Sequence, residues 1–380
     1  MSSHANPDIV TDGLAFIYDT GSGKSYKGEP TVNLAGSIVK NFSSWNGLTG
    51  STEYYTTSTG GQGVKLITTA SGGVQWYSFS TIYNIQASTQ YTISATVKYI
   101  GGTPHPNLLY VRQYDANGQT SESGKFTTAN ERDLGGGWKR IWRTFTTDAT
   151  TTHINLQGYE YTTGKTIHIQ DLQFEQKGHA TQFVNGTRST TQGLLDLTKN
   201  ETITLSNMSY DSNAQMSLDG TDDQFQISDP GVGTSFSIEV VIKVNSYSNG
   251  PIFVSPSSVG IDHFFRVLNN GKFSANFVEV PDTANDGYTS TTVINTGEYY
   301  HVVISKTPSN GTIYVNGVAE DSHTPTLAAA AWTGAWRIGA RWNNTYNLNG
   351  EIPILKVYNK ALTASEVLQS YNAIKDRFIR

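Results

Sequence analysis

The chain has 380 residues, of which 37% are hydrophobic, 11% aromatic and only 15% charged, with a formal net charge of −5. That length is enough for two domains with proper cores, and without a Lys/Arg block a sequence-independent nucleic-acid footprint is excluded. There is no cysteine, which excludes disulfides, thiol catalysis and cysteine-ligated zinc.

No apolar run approaches the ~18 residues that span a bilayer, so no membrane insertion is expected. The opening Met1–Pro7 has no apolar signal-peptide core. Taken in chain order, a first strand is predicted within Asp12-Gly-Leu-Ala-Phe-Ile-Tyr-Asp-Thr-Gly-Ser-Gly-Lys-Ser-Tyr26. Period-two patterning follows in Tyr91–Tyr99, where Tyr91, Ile93, Ala95 and Val97 share one face. Leu108–Tyr114, Phe236–Val244 and Tyr299–Ser305 are further strands, and Thr312-Ile-Tyr-Val-Asn-Gly-Val is a strand closing on an Asn-Gly turn. Asn-Gly and Asp-Gly pairs recur along the whole chain, which argues for hairpins stacked into sandwiches. One helix is predicted, opened by the capping box Thr363-Ala-Ser-Glu366 and carrying Val367, Leu368, Tyr371, Ile374 and Phe378 at helical spacing.

Several of these segments resemble known families. Met216-Ser-Leu-Asp-Gly-Thr-Asp-Asp-Gln-Phe-Gln-Ile227, Phe236–Lys243, His301–Val318 and Trp336–Arg341 followed by Gly350 are similar, in that order, to the strands of laminin-G-like and pentraxin-like, concanavalin A-like jelly rolls. The Asp12–Tyr26 segment resembles the opening of bacteriophage laminin-G-like structural proteins. Between them, Tyr91–Lys98, Gly136-Gly-Trp-Lys-Arg-Ile-Trp142 and Ile167–Phe183 resemble carbohydrate-binding-module-like jelly rolls. The resemblance implies an all-β protein of two nested antiparallel jelly-roll sandwiches. Residues 1–30 would hold the N-terminal segment and first strand of the outer domain, 31–187 an inserted module, and 188–380 the rest of the outer domain with its helix.

Enzyme chemistry has little to stand on. Two glutamates alternating on one strand, as glucanases of this fold use, are not found; Glu279 with Asp282 and Glu320 with Asp321 lack the spacing. Neither a G-x-S-x-G elbow nor H-E-x-x-H is present. His263 reads as a strand residue at a sandwich rim. Structural calcium is the expected ion: the resemblance places a calcium-binding carboxylate at Asp171, with Asn33 where a partner acid would stand. Asp219, Asp222 and Asp223 form an acidic turn, which solvation alone also explains. The candidate glycan patch is Arg341-Trp342-Asn343-Asn344 with Tyr346, an aromatic platform beside amide and guanidinium donors. Trp45, Trp76 and Tyr77 are alternative stacking residues, while Trp138 and Trp142 read as core.

The expected protein is therefore a non-enzymatic bacteriophage virion surface component on a tail, fibre or capsid exterior. It would be made in the host cytoplasm, assemble as a homo-oligomer with other virion proteins, and adhere to host-surface polysaccharide. The alternatives are a decoration protein that binds no glycan and a virion-associated polysaccharide depolymerase.

Overall fold

The structure is a computed structural model that describes residues 8–35, 50–59, 62–68, 75–102, 108–123, 130–160, 164–211, 214–255, 263–277, 287–324, 332, 334–341 and 346–379. It is all-β with one helix, Ala364–Phe378 (α1). No helix among the described residues is long and apolar enough to cross a membrane. The chain packs into two compact units. One comprises the residues up to Gly28, Thr190–Asp211 and the chain from Gln215 onward; the other comprises Glu29–Ser189 with Ala214.

In the first unit an eight-stranded and a seven-stranded antiparallel sheet enclose the larger core. Alternation decides which side chains enter it. Along Phe236–Ser246, Ile238, Val240, Ile242 and Val244 point into the core, whereas Glu239, Val241 and Lys243 take the opposite face. The strand Leu14–Asp19 pairs antiparallel with the second half of Asn349–Tyr358, with Ile17 opposite Lys356 and Asp19 opposite Ile354. The first half of that same strand pairs with Met216–Asp219. Chain pieces far apart in sequence thus share one edge. Asp196 fastens the first strand to the turn that follows Asp196, its buried carboxylate accepting from the backbone N–H of Ile17 and from those of Thr198, Asn200 and Glu201.

α1 begins as the sequence predicts. Thr363 Oγ1 accepts from the Glu366 N–H and the Glu366 carboxylate accepts from the Thr363 N–H. Val367 and Ile374 are buried, but Leu368 is 48% exposed, so the apolar stripe is narrower than its spacing implies. On the helix-side face of the eight-stranded sheet, four titratable side chains are sealed from solvent among the described residues: Glu239, Lys356, His301 and Tyr358.

The second unit is a smaller sandwich of a six-stranded and a four-stranded sheet. Tyr91, Ile93, Ala95 and Val97 line its core with Val64, Ile141, Ile154, Leu156 and Phe174. Its Thr166–Glu175 strand carries an irregularity between Gln170 and Gln173, where Asp171 turns to a positive φ of 53°.

Candidate functional site

The best-formed ligand-facing surface among the described residues lies on the outer face of the four-stranded sheet. Its strand His153–Glu160 runs between Gln75–Tyr83 and Tyr110–Asp115. Ile154 and Leu156 are fully buried, so His153, Asn155 and Gln157 face outward. Val111 and Gln113 point inward, the Gln113 carboxamide accepting from the Asp148 N–H and Thr151 Oγ1, which turns Arg112 and Tyr114 outward; Tyr110 shares their parity but is fully buried. Strand register then assembles rows. Tyr83, His153 and Tyr114 stand side by side across three strands, followed by Thr81, Asn155 and Arg112; Gln157 and the fully buried Tyr110 close the base beneath them.

The first row is a stack of rings. Tyr83 and His153 have centroids 5.4 Å apart at 28°, and His153 and Tyr114 4.9 Å apart at 11°. These distances follow the spacing of neighbouring strands, about 4.8 Å. Stacked rings hide their faces from one another, so the row presents polar edges outward and one open ring face at the sheet margin, on Tyr83, which is 68% exposed. In the rows beneath, Arg112 Nε donates to Glu122 Oε1 at 3.1 Å, and Tyr110 Oη donates to Gln157 Oε1 at 3.0 Å. Among the described residues of these rows the one cation, Arg112, is matched by one anion, Glu122, leaving a near-neutral face of hydroxyls, amides and rings. Such a surface suits the C–H faces and hydroxyls of a sugar better than a charged ligand.

Tyr83 and His153 were not among the residues singled out from sequence. The available signal was alternation, with His153, Asn155 and Gln157 at every second position and Tyr110, Arg112 and Tyr114 likewise. Of the predicted stacking residues, Trp76 and Tyr77 lie on this sheet's Gln75–Tyr83 strand, opposite Tyr159 and Gly158, and Trp45 lies outside the described residues. Trp138 and Trp142 are corrected: both are half-buried and sit on the outer face of the six-stranded sheet, because Ile141 takes the inward position between them.

The Arg341–Tyr346 patch lies in the first unit. Trp342, Asn343 and Asn344 lie outside the described residues. Arg341 and Tyr346 are both exposed and close the base of the loop, the Arg341 N–H donating to the Tyr346 carbonyl at 3.1 Å. The next residues anchor that base on the acidic turn: Asn347 Nδ2 donates to the Thr221 carbonyl, and Asn349 Nδ2 to the Asp219 carbonyl at 3.0 Å. The carboxylate oxygens of Asp219, Asp222 and Asp223 lie within 4.8 Å of one another. Each also serves the local turn. Asp219 accepts from the Thr221 N–H, Asp223 from the Asp219 N–H, and Asp222 from Asn207 Nδ2. Burial pushes the Asp223 carboxyl up to about 6.

Other titratable groups weighed from sequence are accounted for structurally. His263 is buried, meets Trp332 edge-on at 4.4 Å, and is pulled down to about 4 by burial. Glu320 accepts from the Thr291 and Thr292 N–H groups, and Asp321 from the Thr289 N–H. Glu279 and Asp282 lie outside the described residues. A cavity of about 570 Å³ opens beside Glu351–Pro353, where neither Met216–Asp219 nor Leu14–Asp19 covers the edge of the last strand. Its polar rim is internally paired: Glu351 bonds with Lys243 and accepts from Tyr299 Oη, and Arg377 is bidentate to Asp19.

The structure brings Asp171 and Asn33 to the same corner of the second unit. Asn33 Nδ2 donates to the Leu172 carbonyl at 3.0 Å and to that of Val184 at 3.2 Å, while its Oδ1 accepts from the N–H groups of Ala35 and Phe174. Asp171 Oδ1 accepts from Thr59 Oγ1 at 2.6 Å, and the Asp171 carbonyl accepts from Arg140 Nη1 at 2.7 Å. Arg140 is buried, and desolvation pulls it down to about 10. Asn33 Oδ1, Asp171 Oδ1 and the Asp171 carbonyl are already engaged, the last by a guanidinium, so this donor set fits a cation poorly as arranged.

Residues 219–368 match the protein family described as the Concanavalin A-like lectin/glucanases superfamily. This stretch of the chain has that family's jelly-roll fold. No curated protein matches the chain. Among solved structures it is similar to a Trypanosoma rangeli sialidase in complex with 2,3-difluorosialic acid, at 14% identity over 48% of this chain and 31% of that one, with a TM-score of 0.39. It is also similar to domain 4 of an extracellular arabinanase from Geobacillus stearothermophilus in complex with arabinotriose, at 18% identity over 48% of this chain and 93% of that one, TM-score 0.37. A third is a heptameric SAP-like pentraxin from Limulus polyphemus, at 17% identity over 40% of this chain and 78% of that one, TM-score 0.32. The first of these matches spans less than a third of the sialidase chain.

Proposed function

We propose that the protein is a non-enzymatic, lectin-like component of a bacteriophage virion surface that adheres to host-surface glycans. The observation that carries the glycan reading is the outward row of Tyr83, His153 and Tyr114 above Thr81, Asn155 and Arg112. It combines an open ring face with a charge-balanced field of donors and acceptors, the chemistry that holds a neutral sugar. The concanavalin A-like lectin/glucanase match of residues 219–368 supports the lectin reading. The resemblance of Asp12–Tyr26 to phage structural proteins supports the virion assignment. The use of Glu320 and Asp321 as backbone acceptors supports a binding role over hydrolysis.

The test is binding of the purified protein to intact host cells and to their isolated surface polysaccharide, with product analysis. Wild type is compared with Tyr83→Ala, Tyr114→Ala and Trp342→Ala. Saturable binding is expected, with each of the first two variants weakening it roughly threefold to tenfold, in line with the worth of an aromatic contact. The polysaccharide remains uncut. Shortened chains in the product would replace this reading with a depolymerase. No binding by the wild type would leave a decoration role on the particle.

A further inference from the structure

The outer face of the six-stranded sheet carries different chemistry. Strand register lines up one side chain from each of five neighbouring strands: Glu53, Lys65, His168, Lys98 and Trp138. Their inward-facing neighbours Val64, Ile167, Ile169 and Val97 lie in the core, which fixes this row on the outside. Lys65 and Lys98 flank the strand of His168, so their backbones stand two strand spacings apart, about 10 Å.

Two aromatic platforms frame the row. Tyr55 lies over Gly63: a Cβ on that glycine would come within 2.3 Å of the Tyr55 ring, so the ring packs directly against the sheet backbone. Tyr55 Oη donates to Gln170 Oε1 at 3.1 Å and holds it there. Trp138 stands on the other side, and His168 packs edge-on between them, at 6.1 Å from Tyr55 and 5.6 Å from Trp138. Lys98 Nζ is 6.0 Å from the Trp138 ring. Exposed Arg132 adds a cation on the next row, opposite Arg140. The one acid in the row, Glu53, pairs with Lys65 at 3.0 Å while itself 61% exposed, a weak and displaceable contact. At the middle of the row the cations prevail: His168 is lowered from its ordinary value by burial and then by Lys65 and Lys98, with Glu53 opposing, whereas Tyr55 at the margin is raised by burial and then by Asp171.

We propose that this face is a second binding surface, for an acidic polysaccharide whose anionic substituents meet Lys65 and Lys98 while Tyr55 and Trp138 carry the C–H faces of its sugar rings. It is separate from the neutral face of the four-stranded sheet and uses none of its residues. Charge complementarity selects an anionic ligand. The sparse, ring-interleaved cations on a chain of net charge −5 select a polysaccharide over a densely charged nucleic acid.

The probe is polygalacturonate, titrated against the full-length protein at low salt, with single-stranded DNA in parallel. Saturable binding to polygalacturonate is expected, weakening roughly fivefold or more on raising salt to about 0.3 M as screening shortens the reach of the lysines. The double variant Lys65→Gln/Lys98→Gln, which keeps the apolar stems, loses that binding, as does Trp138→Ala, with circular dichroism confirming the fold. Tyr83→Ala leaves it unchanged, so failure of this surface is distinguishable from failure of the glycan reading above. The proposal is overturned by no polygalacturonate binding at low salt, by undiminished binding in a folded double lysine variant, or by tighter binding to DNA.

Discussion

Lys356→Met tests the polar cluster beneath α1. Glu239 and Lys356 are paired residues of adjacent strands, both essentially sealed from solvent, with Lys356 Nζ donating to Glu239 Oε1 at 2.7 Å. Tyr358 Oη donates to the other carboxylate oxygen at 3.0 Å. His301 Nε2 comes within 3.2 Å of the same group without the alignment of a hydrogen bond. Burial alone would raise the Glu239 carboxyl, but Lys356 and His301 outweigh it and hold it well below the ordinary carboxylate range. Removing the ammonium leaves a carboxylate inside the protein without its main counter-charge. Breaking a buried pair in this way costs about 3–5 kcal/mol. The remaining Tyr358 hydrogen bond places the expectation at the lower end, about 3 kcal/mol, a fall in Tm of roughly 6–12 °C for a unit of this size.

The double variant Glu239→Leu/Lys356→Met separates pairing from packing. It removes both charges at similar volume, and Tyr358 Oη keeps an acceptor in the Val10 carbonyl at 3.2 Å. Such replacements are often neutral or stabilising, so the double variant should unfold within about 1 kcal/mol of wild type. Calorimetric thermal unfolding of the three proteins is the assay. A single variant no worse than a typical surface substitution, or a double variant less stable than the single, would refute the reasoning.

Two further perturbations act on the second unit. Glu29, whose side chain is 4% exposed, accepts from Lys177 and lies 2.5 Å from His179 Nε2. Its hydrogen bond raises His179, and although burial opposes, His179 and Lys177 together lower Glu29. The His179 contribution is complete below its unfolded value and is lost as pH rises through the raised folded value. The Glu29 contribution is complete above the ordinary carboxylate range and is lost as pH falls below it. Thermal stability should therefore peak in mild acid between the two, and His179→Gln should flatten the alkaline side of that peak. Chelation with excess EDTA should leave unfolding unmoved, because Asn33 and Asp171 are held by protein donors; a fall in Tm restored by calcium would show that Asp171 exchanges Thr59 for a cation.

The fold was legible wherever alternation and local chemistry act within one segment. Tyr91–Val97 enters the core because one face is apolar at every second position. The helix starts at Thr363 because its hydroxyl and the Glu366 carboxylate satisfy each other's turn. The binding faces were less legible, since each is a row cut across strands. Tyr83, His153 and Tyr114 come from three separate segments and meet only through register. Trp138 was read as core because tryptophan in a strand usually buries. Its parity relative to Ile141 puts it outside, against His168. Parity within a strand can be counted in a sequence, but which strands lie side by side cannot.

The two outer faces of the second unit differ in how their charges are committed, and that difference has a measurable consequence. On the four-stranded sheet Arg112 is matched by Glu122, both partly buried, so the face carries little net field and a bound sugar gains chiefly from rings and hydrogen bonds. On the six-stranded sheet the partner of Lys65 is mostly exposed, and Lys98 faces a ring. Screening at a Debye length of about 10 Å or less acts strongly on the second arrangement and hardly on the first. A single salt titration of host-polysaccharide binding therefore divides the two. The component that survives high salt should vanish with Tyr83→Ala, and the component that salt removes should vanish with Lys65→Gln/Lys98→Gln. If both components answered to the same variant, the protein would have one glycan face and not two.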